Sequence, residues 1–362
     1  WGQDNIRINQ IQVLGTHNSY KHRIDAELFK MLRSGSERMD ALDYSHDSYA
    51  AQLDAGMRSL EIDVVYDPHG GRYAAPWGVS YLKKKNLPVQ PYDPKGEMKK
   101  PGFKVIHIPD IDFRSHTYSF RESLQQLKAW SDTHPGHLPI IITMNAKSDG
   151  FKQLSTLLKT EAKATTDDEL VQPLPFDATA FDAWDAEIRE ILPAQKLIVP
   201  DDVRGNYETL EKAVLAHAWP KLNEMRGRFL FVLDEHDQKM ETYIKGHPSL
   251  KGRVMFVNAT EGRPEAAFRI VNEPVEKLQY IQYLVRSGYL VRTRADANTV
   301  EARKGDYSRW QAALESGAHV ISTDYYRPDA SVKTDYHVTL PGKVGRWNGL
   351  LLPGVRPLPN VE

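Results

Sequence analysis

Apolar residues recur along this chain in short runs, each followed by polar residues and often by a stretch in which apolar positions return at helical spacing. The runs are 11–16 (IQVLGT), 59–65 (SLEIDVV), 104–108 (KVIHI), 139–144 (PIIITM), 228–233 (RFLFVL), 253–257 (RVMFV), 289–293 (YLVRT) and 319–323 (HVIST). They are rich in Val, Ile, Leu and Phe with little alternation, as strands buried on both faces should be. Between them, 119–131 places Phe120, Leu124, Leu127 and Trp130 on nearly one helical face. A second helix is expected over 274–287, opening at Pro274 and stopping at Gly288. A third is expected over 308–316, opening at Ser308 and stopping at Gly317. Strand and helix alternating about eight times predict an α/β fold of the (β/α)8 barrel type, with a doubly wound open sheet as the alternative.

Two stretches break the repeat. Residues 68–103 hold a KKK run with Trp77, Tyr81 and Tyr92, and residues 148–226 are too long for one crossover. The latter include LIVPDDVRGNYETL, which reads as a loop leading into a helix from about 207. Both are read as insertions in one barrel domain spanning 1–362, a separate domain in 150–225 being the alternative. The segment 77–92 mixes aromatics with three lysines and could form a lipid-facing lip. Its apolar pattern is short and irregular, which favours a loop packed on the barrel.

Composition narrows the function. Lys and Arg total 47 against 48 Asp and Glu, so there is no basic excess for nucleic acid or for general attraction to anionic membrane. The absence of cysteine excludes disulfides, zinc–thiolate sites and a cysteine nucleophile. No apolar run approaches the ~20 residues of a membrane helix. The chain begins at Trp1 rather than Met, consistent with removal of a leading segment, for which a cleaved signal peptide is one explanation.

Polar residues crowd the C-terminal ends of the expected strands, where barrel enzymes place their sites. They are His17 and Asn18, His107 with Asp110 and Asp112, Asn145 and Lys147, Asp234 to His236, Asn258, Arg292, Arg294 and Asp296, and Asp324 to Tyr326. Glu61 and Asp63 are the sharpest case, because two carboxylates at i, i+2 share one face of a strand. Pointing into a barrel they would need a cation or an arginine between them; on an edge strand they would simply face water. Asn18 and Asn145 could add amide oxygens, and such oxygen donors favour calcium or magnesium over zinc. His17 and His107 could act as acid and base around a phosphorus centre, or donate structurally to carbonyls. Arg292 and Arg294 share a face with Asp296, which could orient one of them to grip phosphate; a structural salt bridge is the other reading. His22, His46, His69, His116, His134, His137, His217, His247 and His337 lie in polar surroundings and read as mainly solvated.

The blocks GTHNSY, LEIDVVYD, VIHIPDID, LVRTRADANT and HVISTDYY, in this order, resemble the bacterial calcium-dependent phosphoinositide-specific phospholipase C-like family, over roughly 11–326. The resemblance implies an eight-stranded α/β barrel, with His17 and His107 matching the paired catalytic histidines. Asn18, Glu61 and Asp63 match ligands of the calcium ion. It also implies attack by the inositol 2-hydroxyl on phosphorus, diacylglycerol release, Lys147, Arg292, Arg294, Asp324 or Tyr326 on the substrate, and a secreted or periplasmic monomer that touches membrane transiently. One position departs from the pattern: where the eukaryotic branch carries a glutamate ligand on strand four, this chain has Asn145, which cannot accept a proton. A base would then come from His17, Asp324 or a metal-bound hydroxide. A glycerophosphodiesterase or phospholipase D-like barrel is the nearest rival, and a silent headgroup-binding barrel a third reading.

Overall fold

The computed structural model of the protein describes residues 5–148, 158, 170–352 and 358. Eight parallel strands wind into a barrel with the helices outside. In chain order the strands are β1 (Ile11–Thr16), β2 (Ser59–Asp67), β3 (Gly102–Val105), β4 (Ile140–Ala146), β5 (Phe229–Leu233), β6 (Phe256–Val257), β7 (Phe268–Ile270), β8 (Leu290–Arg294), β9 (Val320–Thr323) and β10 (Arg346–Trp347). Their order around the wall is β6-β5-β4-β2-β1-β9-β8-β7. The barrel class therefore matches the expectation, and the open sheet does not.

One of the expected wall strands is replaced by another. The 104–108 run forms β3, which pairs antiparallel with the extended end of β2, with Val64 opposite Val105 and Asp67 opposite Gly102. It is a flap beside the mouth. The place in the wall is taken by β7, whose three residues were too short to signal a strand, and which pairs parallel with β8. β10 pairs antiparallel with the start of β1 and covers its lower end.

No backbone ladder joins β6 to β7 among the described residues. Asn258 bridges that seam: its Oδ1 accepts from the Ile270 backbone N–H (3.0 Å) and from Arg269 (2.9 Å). This side chain supplies the bond a longer strand would have made, a structural use of a residue that sequence alone places at the mouth.

Burial holds the wall. The helix Phe120–Thr133 starts where Ser119 accepts from the Glu122 N–H (3.2 Å), and it buries Phe120, Leu124, Leu127 and Trp130 as expected. Each such side chain contributes roughly 1.5–3 kcal/mol. The expected 274–287 helix begins later, at Leu278, because 274–277 forms turns, and it stops at Gly288 in the left-handed region (φ 107°). Among the described residues of the second insertion the α-helices are Ala178–Ile191, Pro200–Arg204 and Leu210–Leu215, so the helix expected from 207 begins three residues on, capped by Thr209. Residues 149–157 and 159–169 of that insertion lie outside the described residues.

The first insertion shares a second core with the neighbouring parts of the barrel. Trp77, Leu82 and Met98 pack with Leu28, Leu32, Val65, Ile106 and Phe113. Tyr92 stacks edge-on against Phe113 and Tyr118, and its hydroxyl donates to the Tyr73 carbonyl (3.0 Å). The aromatics of 77–92 thus pack inward, as expected of a segment packed on the barrel, but its first part is the helix Trp77–Lys84 rather than a loop.

Glu187, on the helix Ala178–Ile191, lines a cleft of about 340 Å³ with Tyr66, Phe103 and Arg121. Burial pushes its carboxyl up from 4.5 to about 7. Folding therefore holds a proton there, and the stability this gives is lost as pH rises from 4.5 to about 7. Glu187→Gln is expected to gain on the native chain across that window, by up to about 3 kcal/mol, and to level off above it. Urea unfolding at pH 5 and pH 8 checks this; a difference independent of pH would contradict it.

Candidate active site at the barrel mouth

The site starts at the turn after β1. Gly15 lies opposite Ser59 of β2, and a Cβ there would sit 2.5 Å from the Ser59 Cβ, so the close approach of the two strands requires glycine. The chain then turns through Asn18 in the left-handed region (φ 47°), which asparagine tolerates better than most residues. The turn is clamped from inside. The Thr16 and Ser19 hydroxyls are 2.6 Å apart, Gln52 Nε2 donates to the Ser19 carbonyl (2.7 Å), and the Glu61 N–H donates to Ser19 Oγ (2.8 Å). The hydroxyls of GTHNSY thus lock β1 to β2 while His17 and Asn18 face the mouth.

His17 sits among charges. Its Nδ1 lies 3.0 Å from Asp324 Oδ1 at the end of β9, and its Nε2 lies 3.6 Å from Glu61 Oε1. Arg294 of β8 donates to Asp324 Oδ2 (3.1 Å) and approaches His17 Nδ1 (3.4 Å). Burial and the Arg294 guanidinium lower the imidazole's pKa, outweighing the opposing pull of Asp324 and Glu61. Burial alone would raise Asp324, but His17, His46 and Arg294 reverse this and hold its carboxyl far below the usual range. Asp324 is thus ionised, with one oxygen on His17 and the other on Arg294.

A further shell of acid supports this pair. Asp296 accepts from Thr323 Oγ1, from the Asp324 N–H (2.8 Å) and from the Tyr336 hydroxyl (3.3 Å). Burial and the neighbouring Asp324 push Asp296 up to about 7. Its carboxylate orients Asp324 rather than an arginine; Arg294 is met instead by the Asp296 backbone carbonyl (2.9 Å).

Glu61 and Asp63 point inward, and each meets a basic side chain. Glu61 Oε2 pairs with Arg292, which also reaches Ser322 (3.2 Å) and Asn272 (3.2 Å). Asp63 Oδ2 lies 3.1 Å from Lys147 Nζ. Asp63 is registered with Asn145 on β4. Among the described residues, three buried side-chain oxygens here, Asn18 Oδ1, Asp63 Oδ1 and Asn145 Oδ1, have no hydrogen-bond partner. Orphaned buried acceptors are rare and costly, and a set drawn from two amides and a carboxylate suits a hard divalent cation. Asp234, at the next strand end, is pushed up by burial against the pull of Arg292.

His107 lies past the end of β3, in a loop closed by the Ile108–Asp112 bridge. Its Nδ1 is 2.7 Å from Asp112 Oδ2, and the other Asp112 oxygen pairs with Lys21 (3.2 Å), which is fully buried. Burial works against the Asp112 carboxylate, but Lys21 and His107 hold it below the usual range. Each histidine therefore has its own aspartate, one from β9 and one from the flap.

Three participants escaped sequence reading: Tyr44, Lys21 and His46. Tyr44 accepts from Asn18 Nδ2 (2.7 Å) and lies 3.3 Å from His17 Nδ1. Lys21 and Asp112 anchor His107. His46, expected to be solvated, is buried, with Nε2 on the His17 carbonyl (2.7 Å). His137 is likewise buried, between Ser131 (2.8 Å) and the Leu138 carbonyl (2.6 Å). Only Asp112 left a signal, an acid five residues after a histidine in a tight turn. Tyr326 is directed elsewhere, its hydroxyl donating to Asp47 (2.7 Å).

The family profile described as phosphoinositide phospholipase C, Ca2+-dependent, matches residues 6–348. Among solved structures, the fold is similar to that of a calcium-dependent phosphoinositol-specific phospholipase C from a Gram-negative bacterium, Pseudomonas sp. The two chains are 16% identical over 89% of this one and 91% of that one, with a TM-score of 0.54. A Ca2+-dependent phosphatidylinositol-specific phospholipase C from Streptomyces antibioticus is 17% identical over 89% and 95%, with a TM-score of 0.51. At these identities the likeness to the two structures is one of fold. No curated protein matches the sequence.

Proposed function

Since the chain belongs to the Ca2+-dependent phosphoinositide phospholipase C family, we propose that it cleaves the phosphodiester of a phosphatidylinositol-type lipid, releasing diacylglycerol and an inositol phosphate or cyclic phosphate. The observation that carries this reading is the set of three orphaned oxygens, Asn18 Oδ1, Asp63 Oδ1 and Asn145 Oδ1, lying at the mouth that holds His17. Together with Glu61 these residues would hold calcium. Bound there, the ion would stabilise charge on the phosphoryl oxygens and lower the pKa of the attacking hydroxyl.

The protein's own groups supply the proton transfers. Asp324 accepts from His17 Nδ1–H, which leaves Nε2 as the free lone pair, and the lowered pKa keeps the ring neutral near pH 7. His17 Nε2 takes the proton of the inositol 2-hydroxyl as that oxygen bonds to phosphorus. Asp324 is unsuited to the task itself, since both its oxygens are engaged. His107, its Nδ1–H held by Asp112, gives the Nε2 proton to the glycerol oxygen as the P–O bond breaks. Arg292, Arg294 and Lys147 each hold a carboxylate, and Arg294 and Lys147, the more exposed of the three, are the better placed to meet phosphate oxygens. The chain acts outside the cytoplasm as a monomer that meets the membrane surface only while it turns over.

Because His17 must be neutral and its pKa lies below 6.5, the acid limb of kcat/KM is expected below pH 6.5. Phosphorus NMR of phosphatidylinositol turnover tests the whole reading. Inositol phosphate or its cyclic form supports it. Phosphatidic acid or free glycerol phosphate would assign the site to phospholipase D or glycerophosphodiester chemistry instead.

A further inference from the structure

Three carboxylates converge on the mouth, and three basic side chains answer them: Arg292 on Glu61, Arg294 on Asp324 and Lys147 on Asp63. The protein alone thus balances its site, and a divalent cation among Asn18, Glu61, Asp63 and Asn145 would add two positive charges beside Arg292 and Lys147. One resident cation has to give way.

The three differ in their freedom to do so. The Arg292 side chain is 3% exposed and fixed by Glu61, Ser322 and Asn272. Arg294 is 12% exposed and held by Asp324 and the Asp296 carbonyl. Lys147 is 32% exposed at a strand end, and among the described residues its ammonium is paired with Asp63 alone. Its backbone is fixed, the N–H donating to the Val64 carbonyl (2.8 Å), so only the flexible four-carbon stem needs to move. A second carboxylate also pulls on the Lys147 charge: Glu235, which accepts from the Ala146 N–H (2.7 Å) and pairs with Lys239 (3.2 Å).

We propose that Lys147 is a resident counter-cation of Asp63 that the divalent ion displaces, turning the ammonium towards Glu235 and the open mouth, where its charge meets the substrate phosphodiester. The inference rests on the reading that the orphaned oxygens bind calcium. It gives Lys147 two successive partners, Asp63 before the ion enters and phosphate after. It also means that calcium must compete with an ammonium for a ligand set already short of one carboxylate at Asn145.

Calcium binding, measured by calorimetry on the whole chain, separates the two ideas. Lys147→Met frees Asp63, so calcium is expected to bind about tenfold more tightly than to the native protein. On the native chain, acetylation of Lys147 followed by mass spectrometry should run several-fold faster with calcium than with EGTA, a readout that needs no variant to fold. Calcium binding to the native chain with neither the tighter binding nor the faster acetylation would overturn the exchange and leave the metal site standing. No calcium binding at millimolar concentration would overturn both.

Discussion

His17→Ala is expected to slow phosphatidylinositol cleavage by about 10²–10⁴-fold while the barrel stays folded. The turn that carries His17 is held by Thr16, Ser19 and Gln52, none of which touches the imidazole. The variant therefore loses the group that takes the 2-hydroxyl proton but not the link between β1 and β2. Asp324→Asn probes the same step from behind. An amide in that place presents an N–H to Nδ1 or loses the charge that fixes the tautomer, and an orienting acid replaced in this way can lower kcat by up to about 10⁴-fold. Single-turnover rates beside circular dichroism distinguish chemistry from unfolding. A His17→Ala protein that keeps native turnover would remove His17 from the mechanism.

How much of this was legible depends on how far the partners lie apart along the chain. Strands such as β1, β4 and β5 announce themselves, because burial on both faces makes their sequences mostly apolar without alternation. β7 does not, since three residues between Ala267 and Val271 carry too little pattern, and its closure depends on Asn258 from another strand. The 104–108 run was legible as a strand but not as an antiparallel flap, because direction is set by the partner, and β2 runs on past the barrel to receive it. Glu61 and Asp63 were legible as a pair needing positive charge. What supplied it, Arg292 across the barrel and Lys147 beside it, could be known only once the wall had closed. Tyr44 and His46 reach His17 from a loop some thirty residues on, with no periodicity to mark them. Pattern reveals positions that face inward, whereas side-chain partners belong to the tertiary fold.

The pairing of Glu61 with Arg292 leads to the largest expected effect on stability. The side chains are 5% and 3% exposed, and they join β2 to β8 across the interior rather than along the wall. Arg292→Met leaves Glu61 buried without its cation, and losing one member of a buried pair costs about 3–5 kcal/mol. With an unfolding entropy of about 2 cal/mol/K per residue, this lowers Tm by roughly 5 °C. Burial already works against the Glu61 carboxylate, and Arg292 is the leading group that keeps it ionised, so the variant's Glu61 should take up a proton and soften the loss at acid pH. Replacing both residues by Met removes two desolvated charges at once and fills similar volume, so the double variant is expected to regain most of the stability without the function. The contrast between single and double variants is the test. Two variants equally unstable would mean that packing around the side chains, and not their charge, holds β2 to β8. An Arg292→Met protein as stable as the native chain would mean that Glu61 is already satisfied from another side.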